Sequence, residues 1–248
     1  MQRYFIQQTQ ISEEIMLPAD IYKHAVVVLR MKVGAKFELV SQDQTIHLME
    51  ITRIENKSAY AKLCERYVKE VELPVKVSIV CGVSKGDKAE WIVQKGTELG
   101  ANQFIFYNAD YSVAKWDAKK APKKCKRLSK IAQAAAEQSH RTIIPTVKFV
   151  QDFNEILQME STQKIVAYEE AAKEGEKSQL LLSLRQLKKE KTPHLLALFG
   201  PEGGISTKEI TRLKQADFAL VGMGPRIMRA ETAPLYLLSA LSFMFELE

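Results

Sequence analysis

Two short apolar runs near the carboxyl end constrain this chain most. Each is stopped by glycines, and each is followed by the start of a helix. His194-Leu-Leu-Ala-Leu-Phe199 ends at Gly200-Pro-Glu-Gly-Gly204. Ser206 with Glu209 beyond it forms a capping box, which predicts a helix start. Phe218-Ala-Leu-Val221 ends at Gly222-Met-Gly-Pro-Arg226, and Arg229-Ala-Glu-Thr232 then leads into an apolar helix. Buried strands that feed helices predict an open α/β sheet, whose ligands sit outside the carboxyl ends of the strands.

Glycine lets the backbone approach a bound molecule and adopt positive φ. Gly200, Gly203 and Gly204 offer this in the first loop, Gly222 and Gly224 in the second. Neither loop is a standard phosphate cradle: the first lacks the Gly-Lys-Ser/Thr ending, and the second lacks the third glycine of the dinucleotide fingerprint. Either loop alone is equally well read as a tight turn that holds nothing. Both in one half of the chain, with Glu202, Arg226, Arg229, Glu231 and Thr232 around them, point to a site.

The 248 residues suit one large domain or two smaller ones, and 46% apolar content supplies a sizeable core. A net charge of +6 weakly favours an acidic partner such as RNA. Cys64, Cys81 and Cys125 are scattered and the four histidines lie far apart, so no disulfide and no metal site is expected. A reducing, cytoplasmic setting is expected, with no signal peptide and no membrane span. There is no Gly-x-Ser-x-Gly elbow, and Cys81 before Gly82 reads as core rather than nucleophile.

Residues 1–72 read as short strands around one helix, a pattern of small barrels and sandwiches. The strands are Tyr4–Ile6, Lys36–Val40, Thr45–Ile51 and Ala59–Cys64, and the helix opens at Pro18 and runs through Leu29. Arg30 and Lys32 follow as a basic patch, which also suits the negative end of a helix. Leu73-Pro74 marks the boundary of a second domain, residues 73–248. There a strand over Val75–Gly82, a helix from Lys85 to a Gly100 cap and a strand at Phe104–Phe106 give a β-α-β order and a mainly parallel sheet. Further on come a short helix over Asp152–Met159, a strand over Lys164–Tyr168, a polar loop from Glu169 to Ser178 and an amphipathic helix over Leu180–Lys191.

Eight of residues 113–130 are Lys or Arg against one acid, Asp117, with Trp116 among them. Such a run is commonly a solvated helix face; with an aromatic nearby it also suits phosphate contacts and base stacking. The helix continues to Ser139-His-Arg141, with Ala134 to Ala136 packed against something, and Pro145 bars its extension. Thr232 reads as the N-cap of the last helix, with Pro234 just inside. That helix is apolar on nearly every side, so it is buried within the fold or against a second subunit.

These residues resemble a known family. Gly200-Pro-Glu-Gly-Gly204, Gly222-Met-Gly-Pro-Arg-Ile-Met-Arg229 and Glu231-Thr232 are similar to the signature of the SPOUT-class RNA methyltransferases, in the RsmE-type branch that methylates uridine N3 in small-subunit ribosomal RNA. Lys95-Gly-Thr-Glu-Leu-Gly100, Ala136-Glu-Gln-Ser-His-Arg141 with Pro145, and Val28-Leu-Arg-Met-Lys32 with Gly34 extend the resemblance over essentially the whole chain. It implies an N-terminal PUA-like β-barrel for RNA and a C-terminal SPOUT domain threaded as a trefoil knot, a rare topology. It also implies S-adenosylmethionine as cofactor, and a homodimer packed through the C-terminal helix and knot. Ala230, Gly96, Ile205 and Ala35 depart from the family's usual Thr, Ala, Phe and Asp.

On this resemblance Leu198, Phe199, Gly200, Gly204, Met223, Gly224, Ile227, Met228, Arg229 and Thr232 are expected to hold the donor. Arg229 is expected to stabilise a uridine anion, and Glu202 or Glu231 to take its proton. Arg229 and Glu231 paired structurally are the alternative. Arg30, Lys32, Lys115, Lys119, Lys123, Lys124, Arg127, Gln138 and Arg141 are the expected RNA contacts, in the ribosomal RNA of the small subunit. Three other readings remain: a ribose-methylating enzyme of the same fold, a non-catalytic RNA-binding assembly factor, and a phosphate-binding enzyme using the helix after Gly204.

Overall fold

The structure, a computed structural model, describes residues 1–169 and 179–248, so the polar loop expected up to Ser178 lies, after Glu169, outside the described residues. The chain forms two compact units: Met1–Glu72 with Ala136–Ile143, and Leu73–Ala135 with Ile144–Glu248.

In the first unit the strands are β1 (Arg3–Phe5), β2 (Glu14–Met16), β3 (Lys36–Val40), β4 (Ile46–Glu55) and β5 (Ser58–Tyr67). They form one sheet in the order β1-β3-β4-β5-β2, with β1 parallel to β3 and the other neighbours antiparallel. Alternation aims Phe37 and Leu39, Met49 and Ile51, and Ala59 and Ala61 into one core. Helix α1 (Ala19–Tyr22) runs on as a π-helical turn over Lys23–Val28. Arg30 then takes positive φ, and Arg30 and Lys32 are exposed.

The same unit buries charges in pairs. Arg3 Nε donates to Glu38 Oε2 at 2.8 Å, and the Tyr67 hydroxyl donates to Glu38 Oε1 at 2.6 Å. Burial alone would raise the Glu38 carboxyl, but these bonds and the nearby charges outweigh it and hold it below the usual range. Arg141, expected on the RNA surface, is instead 3% exposed. Its guanidinium is paired with Glu72, and Glu72 Oε1 also accepts the N–H groups of Thr142 (2.8 Å) and Ile143 (3.1 Å). A buried guanidinium needs its carboxylate, so Arg141 is turned inward and ties this segment to Glu72. Ala134, expected to be packed, is exposed, while Ala132, Ala135 and Ala136 are buried.

The second unit is a six-stranded parallel sheet built from β6 (Lys76–Gly82), β7 (Gln103–Tyr107), β8 (Thr146–Val150), β9 (Gln163–Ala167), β10 (His194–Phe199) and β11 (Ala219–Val221). Its order is β11-β9-β10-β6-β7-β8. Both faces are covered, so the central strands are buried throughout and do not alternate in polarity. On one face Val77, Ile79, Phe104, Leu195 and Ala197 meet α2 (Lys88–Glu98), α3 (Lys120–Gln138, whose last residues belong to the first unit), α5 (Gln179–Leu187) and α7 (Thr232–Ser242). On the other, Val80, Ile105, Leu196 and Leu198 meet α4 (Phe153–Leu157) and α6 (Thr207–Gln215).

Local signals behave as their chemistry requires. Ser206 and Glu209 form the capping box that opens α6, and Gly100 takes φ +94° after α2. Gly96 stands where a Cβ would come within 2.7 Å of the Phe104 ring, so here the bulk of Phe104 replaces an alanine methyl. The cap of α7 is Glu231 rather than Thr232, and makes no side-chain cap bond. We predict that Arg141→Met lowers unfolding free energy by about 3 kcal/mol, because it leaves the partly buried Glu72 without its cation. Urea denaturation measures this, and a loss below about 0.5 kcal/mol would show that the pair does not hold the segment.

Candidate active site

Strand order locates the site. From β6 the chain goes to β7 and β8 on one side, then crosses to β9, β10 and β11 on the other. The direction of winding reverses between β6 and β10, where a parallel sheet opens a crevice at its carboxyl edge. Register aligns those ends, with Phe199 beside Cys81 and Gly82 beside Tyr107.

The loops beyond them are in close contact. A Cβ on Gly82 would lie 2.5 Å from Pro201 Cδ, and one on Gly200 2.7 Å from the buried Ile205. Only glycine admits these approaches. Beside them the Ser206 hydroxyl donates to Asp110 Oδ2 at 2.6 Å, and the Asp110 N–H donates to Glu209 Oε1 at 3.2 Å. The loop after β7 is thereby tied to the loop after β10. Cys81 is fully buried, and burial pushes its thiol far above the usual range, so it remains a protonated core residue.

The charges of the site gather on one lysine. Lys88 Nζ donates to Glu202 Oε1 at 2.8 Å and lies 3.7 Å from Glu231 Oε2. The Lys85 N–H also donates to Glu202 Oε1, at 3.2 Å. Burial would raise the Glu202 carboxyl, yet the Lys88 bond, the backbone bonds and the lysine's charge outweigh it and hold it below the usual range. The Glu202 bond in turn raises Lys88, against the opposing charge of Arg229. Glu231 Oε2 is buried without a hydrogen-bond partner among the described residues. Glu231 thus faces Lys88 rather than pairing with Arg229, which is exposed.

Sequence reasoning missed Lys88. Its signal was a cation in the first turn of a helix, where the dipole disfavours positive charge, so another partner has to hold it there.

The other expected residues divide by exposure. Leu198 and Phe199 are buried at the end of β10, and Gly200, Met223 and Met228 are half-buried. Gly204, Gly224, Ile227 and Thr232 are exposed, and Gly224 takes φ +93°. Lys115, Lys119, Lys123, Lys124 and Arg127 are exposed on α3 and the loop before it, and Gln138 is exposed in the first unit. Trp116, expected as a stacking platform, is instead core: it is 7% exposed and packs on Phe106 and Phe149.

The profile of a family described as RNA methyltransferase domain matches residues 71–242, and an RNA methyltransferase PUA domain matches residues 17–64. The chain is 45% identical to ribosomal RNA small subunit methyltransferase E of Bacillus subtilis over 253 residues, covering 100% of this chain and 98% of that protein. The chain belongs to this RNA methyltransferase family. Ribosomal RNA small subunit methyltransferase E 2 of Borreliella burgdorferi is 30% identical, over 94% of this chain and 92% of its own. The crystal structure of a ribosomal RNA small subunit methyltransferase E from Neisseria gonorrhoeae bound to S-adenosyl methionine superposes with a TM-score of 0.84. It is 25% identical and covers 99% of this chain and 98% of that one. No helix among the described residues is long and apolar enough to cross a membrane, and none of their His, Cys, Asp or Glu side chains form a group that could hold a metal ion.

Lys88 is the residue through which this cluster can be tested. With Lys88→Met the Glu202 carboxyl is expected to titrate at higher pH than in the wild type, because its strongest stabilising bond is gone. The wild-type pair is intact above the ordinary carboxylate range and is lost as pH falls through the depressed Glu202 value. Carbon-13 NMR of the side-chain carboxyl reads the shift, and an unmoved Glu202 would remove Lys88 from its environment.

Proposed function

We propose that this enzyme uses S-adenosylmethionine to methylate N3 of a uridine in small-subunit ribosomal RNA, in the cytoplasm. The observation that carries the reading is the Lys88–Glu202–Glu231 cluster beside Arg229, at the crevice where the sheet reverses, in a chain of this family.

The residues present fit the donor. The Gly200 and Gly204 bend offers backbone groups with no side chain in the way, next to apolar Leu198, Phe199 and Met223. Gly224, Ile227, Met228, Arg229 and Thr232 supply the opposing loop. When bound, S-adenosylmethionine supplies an electrophilic methyl group on a sulfonium. This chain supplies positioning and proton removal, because uridine N3 attacks only after losing its proton.

Glu231 is the proton acceptor. Among the described residues it has an oxygen without a hydrogen-bond donor, whereas Glu202 is held ionised by Lys88 and is correspondingly weak as a base. Arg229 stabilises the uridine anion left when the proton goes to Glu231. Glu202 positions Lys88 between the two carboxylates. The N-terminal unit and the exposed cations Arg30, Lys32, Lys115, Lys119, Lys123, Lys124 and Arg127, with Gln138, bind RNA.

The trefoil knot and the homodimer belong to the same reading. Supporting them, α7 packs back against α2 and β10, while Tyr236, Phe243 and Leu247 remain 43%, 63% and 76% exposed on the terminal helical segment. Such apolar side chains are suited to a second copy of the chain.

Two experiments test the proposal. Glu231→Gln is expected to lower kcat by about 10²-fold or more with donor affinity kept, and Arg229→Ala to lower kcat by about 10²-fold or more. Mass spectrometry of the product nucleoside should give 3-methyluridine. A ribose-methylated product, or wild-type turnover in Glu231→Gln, would overturn the assignment. Phe243→Glu is expected to convert a dimer to a monomer in light scattering, and a wild type that is monomeric would remove the dimer.

A further inference from the structure

Beside the crevice lies a second concavity, lined in part by cations already assigned to RNA. It is a cavity of about 190 Å³ between the loop after β6 and the first turns of α3. Ser84 and Gly86 form one wall; Lys115, Lys120, Lys124 and Arg127 form the other. We propose that this cleft anchors one phosphodiester of the substrate RNA strand beside the target uridine. The inference rests on the RNA methyl-transfer reading above and names a subsite for it.

Charge, spacing and size support the assignment. Four cations line the cleft against one carboxylate, Glu90, which holds Arg127 at 2.9 Å. Lys120 also meets Asp117 at 3.4 Å, but both side chains are more than half exposed, so that pair contributes little and yields to a stronger anion. Lys120, Lys124 and Arg127 recur at helical spacing and therefore share one face of α3. Lys126 and Lys130 leave the same helix from a different side, since each residue turns it by about 100°.

The volume is below the roughly 300 Å³ at which sites for whole small molecules begin, so the cleft suits a fragment of a longer ligand. Trp116 lines it, but its ring is covered by Phe106 at 5.2 Å and Phe149 at 5.8 Å, which leaves no open face for stacking a base. Phosphate, held by lysines without regard to sequence, is the remaining RNA group.

Position supports the same conclusion. The loop that walls the cleft at Ser84 and Gly86 carries Lys85 between them, and the Lys85 N–H holds Glu202. A strand held here by its phosphate runs alongside the carboxylates of the reaction site.

Two charge-matched double variants separate a built subsite from a diffuse positive field. Lys120→Gln with Lys124→Gln removes two cleft cations; Lys126→Gln with Lys130→Gln removes two from elsewhere on the same helix. Filter binding to small-subunit ribosomal RNA over a salt series reads affinity, and a methyl-transfer assay on the same samples reads turnover. The cleft pair is expected to weaken RNA binding about ten-fold and to reduce the salt slope by about 1, with donor affinity unchanged. The second pair is expected to change affinity less than two-fold.

Equal losses from both pairs, an unchanged cleft pair, or lost donor affinity in the cleft pair would each overturn the proposal. So would tight, micromolar binding of inorganic phosphate by the wild type, which would make the cleft a site for a free anion. Failure of the methyl-transfer reading looks different: wild-type protein would bind RNA and yield no methylated nucleoside.

Discussion

The close approach of two chain turns at the carboxyl edge of the parallel sheet governs the C-terminal unit. Gly82 ends β6 where Pro201 passes within the space a methyl group would need. This contact exists because β10 is inserted next to β6, although more than a hundred residues separate them in sequence. A parallel neighbour reached by a long excursion has its carboxyl end beside that of the earlier strand, so the loops after both must share one crevice. With glycine at Gly82 the loop after β6 packs directly against Pro201 of the loop after β10, and with glycine at Gly200 that second loop folds tightly on Ile205 and Gly204.

The electrostatics follow from that packing. The loop after β6 continues into α2 and delivers Lys88, while the loop after β10 delivers Glu202 and the approach to α7 delivers Glu231. Three segments far apart in sequence thus bring one cation between two carboxylates. The lysine favours the nearer carboxylate, and so the two glutamates become chemically unequal. Glu202 is ionised and bonded, whereas Glu231 retains an oxygen that no donor among the described residues satisfies. Such inequality between paired acids is how one site can contain both a fixed charge and a proton acceptor.

Much of the fold was legible because its signals are local. The run His194–Phe199 is the strand β10 over the expected span, and the Ser206–Glu209 box opens α6. The strand at Lys36–Val40 and the left-handed cap at Gly100 likewise follow from residue type and spacing. The strands β2 and β8 were not foreseen. The three residues Glu14-Ile-Met carry too little pattern to signal a strand, and Thr146–Val150 gains its pairing from β7, far away in sequence. Trp116 misled for a related reason. Its neighbours in sequence are basic and exposed, but its ring turns inward onto Phe106 and Phe149.

Arg141 and Lys88 show where local reading ends. Both are cations in helical or near-helical segments, and composition treats them alike. One is buried on Glu72 and ties down its segment; the other meets Glu202 and Glu231 beside the crevice. The sequence by itself determined the strands and helices with strong periodicity or caps, the glycine bends and the family to which they belong, because those depend on neighbouring residues. Which carboxylate each cation meets, which aromatic ring lies inside, and which turns face each other were decided by tertiary structure. Those pairings depend on strand order, and strand order is a property of the whole sheet rather than of any one segment.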